Sequence, residues 1–197
     1  MCDATGRAEA LLGLPGFRVL EVTETPEEFV IQIETIPQLV GCPACGVIAT
    51  AHDRMPVEYR DLAAFGRSVR LVWIKRRWRC EEPECASCTW TEVSAAFSAR
   101  CLLTRRAGRE CCQQVGRNAR PVSQLAAALG VSWDTVMAAV HEYGQPLIDD
   151  PERVGQVRGL GVDETTWLTV TREHPTCFAT SMVDLERRIV IDVVQGQ

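Results

Sequence analysis

The sequence lacks any long apolar run, and no stretch approaches the ~18 apolar residues that a membrane-spanning helix needs. The opening stretch, MCDATGRAEALLGLPGF, has a short apolar core and no small-residue cleavage site, unlike a signal peptide. Internal repeats and low-complexity tracts are also absent, and the composition is that of an ordinary globular protein. We therefore expect a folded cytoplasmic protein with no membrane partner.

Charge is unevenly distributed along the chain, although the formal net charge is only −5. Residues 54–120 hold 14 Arg and Lys against 7 Asp and Glu, so the remainder is strongly acidic. A basic middle between acidic ends favours a local polyanion-binding face, and solvated arginines are the alternative interpretation.

Ten cysteines are present, and in a reducing compartment cysteines are more often metal ligands or free thiols than disulfides. "GCPACG" contributes Cys42 and Cys45, and "CEEPECASC" contributes Cys80, Cys85 and Cys88. Structural Zn²⁺ takes four ligands held tetrahedrally, usually by two short loops, so this pattern predicts a zinc site. Spacing leaves open which members of the second group are ligands, and His52 is a further candidate. The cysteines without such spacing are expected to be free thiols: Cys2, Cys101, Cys111, Cys112 and Cys177.

Periodicity predicts strands first and helices later. Alternating apolar residues in 17–35 predict a hairpin around "TPEE", and "SVRLVWIKRRWRC" predicts a strand that delivers Cys80 to the metal site. From Leu103 the pattern turns helical, with Thr104 as the cap and Ala107, Cys111 and Val115 on one face. Pro121 ends this helix.

"VSQLAAALGVSWDTVMAAVHEYG" has the pattern of a helix-turn-helix, with an ordinary helical hairpin as the alternative. The second helix is expected to begin at a Ser132 cap and to end before Gly144, and 145–156 is expected to be a linker. The pattern rests on small or apolar residues at the helix crossing, a glycine in the turn, and apolar residues that fix the second helix: Leu125, Ala126, Leu129, Gly130, Val131, Val136 and Ala139.

If this motif binds DNA, the exposed early part of its second helix enters the major groove. The candidates to face bases are Ser132, Trp133, Asp134, Met137, Ala138 and His141. This set lacks the Arg, Asn or Gln that make bidentate base contacts, so phosphate contacts by nearby arginines are expected to matter more. The candidate arginines are Arg105, Arg106, Arg109, Arg117 and Arg120.

Three apolar runs close the sequence, "VRGLGVD", "CFATSMV" and "RRIVIDVV", and they predict an antiparallel meander. The first run leads into Asp163 and Glu164, and we asked whether Asp163 belongs to a two-metal site, which needs several converging carboxylates. Glu164 should point to the opposite face, and Asp184 should lie roughly 15–20 Å away at the far end of the next strand. Asp192, on the strand that runs with the first, remains a candidate metal ligand, although a solvent-facing role is favoured.

Several features follow one another along the chain: the strand pair, "GCPACG", "HDR", "YRDL", "RRWRC" with the following Cys85, "GVSWDTV" and "GVDETTW". Taken in this order, they resemble the ISL-three family of bacterial insertion-sequence transposases. The resemblance spans nearly the whole chain, and it depends on the order of the cysteine block, the helix and "GVDE". It implies zinc ligation by Cys42, Cys45, Cys80 and Cys85, and a helix-turn-helix that engages double-stranded DNA at the transposon's terminal inverted repeats.

The resemblance also implies a ribonuclease-H-like domain that uses two Asp, one Glu and Mg²⁺ to cut and rejoin DNA, with Asp163 as the first acid. The family's second Asp and Glu lie beyond the end of this sequence. Mg²⁺ is therefore expected only if the catalytic domain is completed, and residues 156–197 should expose an apolar face and unpaired strand edges. A further chain or a homo-oligomer is a possible source of completion.

The expected fold class is α+β and multidomain. It comprises a β-hairpin and zinc ribbon in 1–95, a helix-turn-helix domain in 98–145, and an incomplete ribonuclease-H-like meander in 156–197. The expected function is nucleoid-associated recognition of transposon ends, catalytically incomplete in this chain. A zinc-ribbon and helix-turn-helix transcription regulator is the alternative, and a zinc-stabilised protein-interaction module is a third interpretation.

Overall fold

The computed structural model of the protein describes residues 4–173 and 175–196. It divides into two compact units, the first ending at Gln145 and the second beginning at Pro146, close to the expected linker. The domain boundary expected near residue 96 lies inside the first unit, where it separates two apolar clusters. None of the helices in the described residues is long and apolar enough to cross a membrane.

The first unit is built on a five-stranded sheet. Its strands are β1 (Phe17–Glu24), β2 (Glu28–Thr35), β3 (Thr50–Ala64), β4 (Arg67–Arg79) and β5 (Thr89–Thr91). The expected hairpin is present as β1 and β2, and β4 ends one residue before Cys80. The sequence pattern did not indicate β3 or the parallel pairing of β2 with β4, which gives the order β1-β2-β4-β3 with β5 beside β4.

One face of this sheet carries the apolar core. Ile33, Leu71 and Trp73 are almost fully buried there, since residues of one face alternate along each strand. Helix α1 (Ala4–Leu12) and Phe97 cover this core face, with the Phe97 and Trp73 rings stacked 4.9 Å apart. The core therefore occupies the part of the sheet away from the cysteine loops.

The opposite face carries ion pairs that neutralise much of the basic middle of the sequence. The buried Glu34 carboxylate binds Arg18, Arg54 and Arg76. Glu28 binds Arg60 and Arg70 on this face in the same way, and on the core-face side Glu24 binds Arg67. The basic excess of 54–120 is therefore smaller on the surface than in the sequence.

Three further helices follow the sheet: α2 (Arg105–Gly116), α3 (Val122–Leu129) and α4 (Trp133–Ile148), whose last three residues belong to the second unit. Thr104 caps α2 as predicted, because its side chain accepts from the Ala107 N–H at 3.2 Å. Gly130 ends α3 in the left-handed conformation with φ of 66°, which favours glycine. The residues predicted to pin the helices together form one apolar cluster with α2, namely Leu125, Ala126, Leu129, Val136 and Ala139, with Val131 packed against it.

Helix α4 is longer than predicted. Ser132 caps it, accepting from the Thr135 N–H at 3.2 Å, but the helix continues past Gly144 and Pro146 to Ile148. Proline removes a helical N–H, yet near the end of a helix this disturbs few turns. The segment read as a linker from residue 145 therefore begins as helix.

The second unit is a three-stranded antiparallel sheet in the order β6 (Leu160–Leu168), β7 (Cys177–Asp184) and β8 (Ile189–Gln195). Among the described residues no other strand pairs with β6 or β8 at their outer edges. Val162, Trp167 and Val193 are more than half exposed, so apolar side chains face outward here as expected.

Candidate metal centre and nucleic-acid interface

Four cysteine sulfurs converge where β3 begins and β4 ends. Cys42 Sγ lies 3.7 Å from Cys85 Sγ, and Cys45 Sγ lies 3.5 Å from Cys80 Sγ. All four sulfurs lie within 4.8 Å of one another. Thiolates at ~2.3 Å from a tetrahedral Zn²⁺ are about 3.8 Å apart, so the arrangement fits structural zinc.

Backbone geometry explains how the first loop presents its sulfurs. The Cys42 N–H donates to Val47 O and the Gly46 N–H donates to Cys42 O, while Gly46 has a φ of 78° that turns the chain back. Burial raises the pKa of Cys42, but the amides of Ala44 and Cys45 and the neighbouring sulfurs lower it to about 6. The loop amides therefore favour the thiolate form of Cys42, which is the form that binds a metal ion.

The second loop presents its sulfurs in a different electrostatic setting. The Glu82 amide lowers the pKa of Cys80, but burial and the three neighbouring sulfurs raise it to about 12. The Ser87 amide likewise lowers the pKa of Cys85, which burial and nearby sulfurs raise. Four thiolates cannot accumulate unaided in so small a space, and a divalent cation would offset their repulsion.

The structure distinguishes the cysteines that spacing could not. Cys88 is exposed and lies outside the cluster, although its carbonyl accepts the Cys80 N–H. His52 is exposed on β3 and is not among the clustered ligands. Cys111 is buried in the helical cluster, where burial raises its pKa to about 11, and Cys101, Cys112 and Cys177 are free. Cys2 lies outside the described residues.

The exposed surface of α4 contains most of the predicted base-facing residues. Ser132, Trp133, Asp134, Ala138 and His141 are exposed, whereas Met137 is half-buried. Trp133 is 53% exposed, which is unusual for so large an apolar side chain. This surface can make apolar and single hydrogen-bond contacts.

The predicted phosphate-binding arginines divide into two kinds. Arg105, Arg109, Arg117 and Arg120 are exposed and make no ion pair with any described residue, while Arg109 also lies 5.8 Å from the Tyr143 ring centroid. Arg106 differs, because its guanidinium binds the buried Asp61 carboxylate and the carbonyls of Leu12 and Gly13. Arg106 thus joins the helices to the sheet. Its guanidinium is occupied by these contacts, so it does not fit the predicted role of a phosphate-binding residue.

Sequence reasoning missed Asp61 and Glu34, which are buried acids that organise the first unit. Both are acidic residues in amphipathic strands, and Glu34 alternates with the core residue Ile33 along β2, so local periodicity does not mark them as buried. Their arginine partners come from strands or helices distant in sequence, such as Arg106 for Asp61. Only the pairing of the strands reveals these sites.

The predicted catalytic residue Asp163 lies exposed on β6, opposite Ser181 of β7. Asp192 pairs with Met182, the neighbour of Ser181, so its side chain belongs to the other face of the sheet. The candidate role of Asp192 as a partner of Asp163 is therefore wrong. Within the described residues no acidic group of three or more forms around Asp163.

Two other carboxylates are also separated from Asp163. Glu164 accepts from Thr180 Oγ1 on the opposite face, as predicted. Asp184 pairs with Leu160, so it lies only about 10 Å along the sheet from Asp163, closer than predicted, but on the other face. Its carboxylate is buried and binds Arg187 at 2.7 Å, which, with the Arg187 and Glu186 amides, lowers the pKa of Asp184.

Residues 38–88 match the family model described as the zinc-finger of transposase IS204/IS1001/IS1096/IS1165. The matched range contains the four clustered cysteines together with β3 and β4. No curated protein and no solved structure matches the chain. A zinc ribbon of this type supports a structural zinc site and suggests the N-terminal DNA-binding region of a transposase.

Proposed function

We propose that this chain is the DNA-binding portion of an insertion-sequence transposase and recognises the terminal inverted repeats of its element. One observation carries the proposal: a transposase-type ribbon, residues 38–88, lies in one compact unit with helices α2 to α4. In this proposal α3 and α4 act as a helix-turn-helix, and α4 enters the major groove of double-stranded DNA.

Base contacts in this proposal come from the first turns of α4. Trp133 and Met137 offer apolar surface to thymine methyl groups, and His141 and Ser132 offer hydrogen bonds. Asp134 is exposed beside them and would be repelled by phosphate, so it has to face the groove floor, where a carboxylate can accept from cytosine. Sequence discrimination at these positions is modest because bidentate donors are missing.

Phosphate contacts supply most of the affinity in this proposal. Arg105, Arg109, Arg117 and Arg120 are exposed cations without carboxylate partners among the described residues. Each arginine that neutralises a phosphate releases counterions, which makes the affinity fall steeply with salt.

Zinc has a structural role in the proposal. Bound to Cys42, Cys45, Cys80 and Cys85, it would order the loops where β3 begins and β4 ends and leave no open position for substrate. Residues 156–197 are proposed to be the opening strands of a ribonuclease-H-like domain, with Asp163 as its first acid. Mg²⁺ chemistry would need carboxylates from a further segment or from another chain, including a second copy.

The test is fluorescence anisotropy with the zinc-loaded chain and two duplexes, the element's terminal inverted repeat and a shuffled sequence of equal length. We expect tighter binding to the repeat, and a slope of log affinity against log salt that falls by about 1 for each of Arg109→Gln and Arg117→Gln. Arg172→Gln in the second unit is the matched control, since it removes one exposed charge without touching the helices. Equal, salt-insensitive binding to both duplexes would refute the proposal.

A transcription regulator is the second candidate, and it is favoured because no group of three or more acidic ligands forms around Asp163 within the described residues. The two functions differ in how they depend on that acid. A transposase that is supplied with the further carboxylates should lose DNA cleavage on Asp163→Ala, whereas a regulator should bind its operator unchanged.

A further inference from the structure

Three cationic side chains lie in a row on β4, and none of them takes part in the ion pairs of the sheet among the described residues. Lys75, Arg77 and Arg79 occupy every second position of the strand and therefore share one face. Neighbouring members of this set are about 6.6 Å apart along the strand. That face is the core face, because Lys75 Nζ lies over the Trp73 ring at 4.7 Å from its centroid. We call these three residues the β4 row.

The β4 row differs from the other cations of the sheet in having no carboxylate partner among the described residues. Arg54, Arg60, Arg67, Arg70 and Arg76 all bind glutamates. Asp53 pairs with Arg77 across the strands, but its carboxylate accepts from the Arg54 N–H instead. Arg77 donates to Thr89 Oγ1 at 3.1 Å, and both Arg77 and Arg79 are exposed.

The position of the β4 row fixes its distance from the helices. The helical segment attaches to β3 at Arg60, whose N–H donates to Leu102 O and whose carbonyl accepts from the Thr104 N–H. Arg60 pairs with Arg70 of β4, and Arg77 lies seven positions beyond Arg70 on the same strand. At ~3.3 Å per residue the attachment point lies about 23 Å from the β4 row along the strand.

Helix α2 contacts the core-face side of the sheet, to which the β4 row points, whereas Gly130 at the end of α3 lies beside the Arg60 side chain on the opposite face. Arg106 of α2 donates to the carbonyls of Leu12 and Gly13, at the end of the helix that covers the core face. The exposed arginines of α2 and the β4 row therefore form two separate positive surfaces on one scaffold. Since a turn of B-DNA is about 34 Å long, both can reach one duplex only if it extends well beyond the helix-turn-helix site.

We infer that the β4 row is a second phosphate-binding surface, which contacts the backbone of the same DNA duplex that helices α2 to α4 bind. The inference rests on the proposed function. Charge complementarity makes a polyanion the ligand of this surface. Because the sheet is attached to the proposed helix-turn-helix, duplex DNA is the polyanion that we infer. Its consequence is an affinity that increases with duplex length and depends on the β4 row only for long duplexes.

The experiment measures anisotropy of the zinc-loaded full chain with mixed-sequence duplexes of about 10 and about 30 base pairs. The variant is Lys75→Gln, Arg77→Gln and Arg79→Gln combined, and zinc content and thermal melting verify that it folds. We expect it to lose roughly tenfold affinity or more for the long duplex and less than about threefold for the short one. Its salt slope on the long duplex should fall by about 2.7.

Matched variants separate the outcomes. The control variant combines Arg158→Gln, Arg172→Gln and Arg188→Gln, which removes the same charge from the second unit. An equal loss of DNA affinity in this control would show a general charge effect and would overturn the inference. If the β4 row variant binds both duplexes like the wild type while Arg109→Gln weakens both, the second surface is refuted and the proposed function stands. If the unmodified chain binds neither duplex, the proposed function itself fails.

Discussion

Thr104 Oγ1 donates a 2.6 Å hydrogen bond to Asp61 Oδ1, and this bond links the cap of α2 to the edge of the sheet. Arg106 binds the same carboxylate, which is 1% exposed. A buried carboxylate needs such partners, because unpaired it would lose its hydration without compensation. Asp61 therefore holds the helices in a fixed position relative to the strands that carry the cysteines.

Asp61→Asn should destabilise the first unit by about 2–3 kcal/mol, because it removes an ion pair that is buried on the carboxylate side. Urea unfolding followed by far-UV circular dichroism measures the change. Asp53→Asn, at an exposed position of the same strand, is the control and should change the free energy of unfolding by less than ~0.5 kcal/mol. Equal effects of the two changes would show that Asp61 does not link helices and sheet.

Zinc content should depend on the four clustered cysteines and not on the fifth. The chain should bind about one Zn²⁺, and Cys42→Ser or Cys80→Ser should abolish binding and unfold the ribbon, since metal binding is coupled to folding. Cys88→Ser should retain the metal, because Cys88 contributes only its backbone carbonyl. Elemental analysis of purified variants tests this, and a zinc-free Cys88→Ser protein would contradict the ligand assignment.

Gly108→Ala should destabilise the helical cluster, although alanine normally favours a helix by about 1 kcal/mol over glycine. A Cβ at position 108 would lie 2.6 Å from a ring carbon of Tyr143, so α2 and α4 would have to separate. We expect a net loss of about 1–3 kcal/mol in thermal unfolding. Gly116→Ala on the same helix meets nothing within 4 Å and should be neutral or mildly stabilising.

Glu34 should make stability depend on acid. Burial alone would raise the pKa of Glu34, but Arg18, Arg76 and Arg54 lower it. Its contribution is therefore complete above the unfolded pKa of about 4.3 and is lost as pH falls through the folded pKa. The difference in Tm between wild type and Glu34→Gln should shrink as pH drops below ~4. A constant difference, like that expected for the exposed Glu21→Gln control, would contradict this assignment.

Asp163→Asn should leave DNA affinity unchanged, because Asp163 is exposed on β6 of the second unit and is not part of the proposed DNA-binding helices. With Mg²⁺ the 197-residue chain and this variant should both fail to nick supercoiled plasmid, since two-metal cleavage needs converging carboxylates. Gel electrophoresis measures nicking. Cleavage by the wild type that Asp163→Asn abolishes would mean that other ligands assemble around Asp163.

The sequence by itself determined the features that depend on short-range spacing. These features are the two cysteine loops, the Thr104 and Ser132 caps, the glycine turn at Gly130 and the alternating strands. They are local patterns, because helix capping and the alternation of apolar residues are set within a few residues. The apolar residues of α3 and α4 were identified for the same reason, since one helix face repeats every three or four positions.

Tertiary structure decided what depends on strand register and on partners distant in sequence. The proximity of Cys80 and Cys85 to Cys42, which spacing alone left open, required β3 and β4 to bring both loops together. Pairing with Asp61 occupies the Arg106 guanidinium, and the register of β7 with β8 placed Asp192 on the face away from Asp163. A shift of one residue in register reverses the face of every side chain, and no local pattern specifies that register.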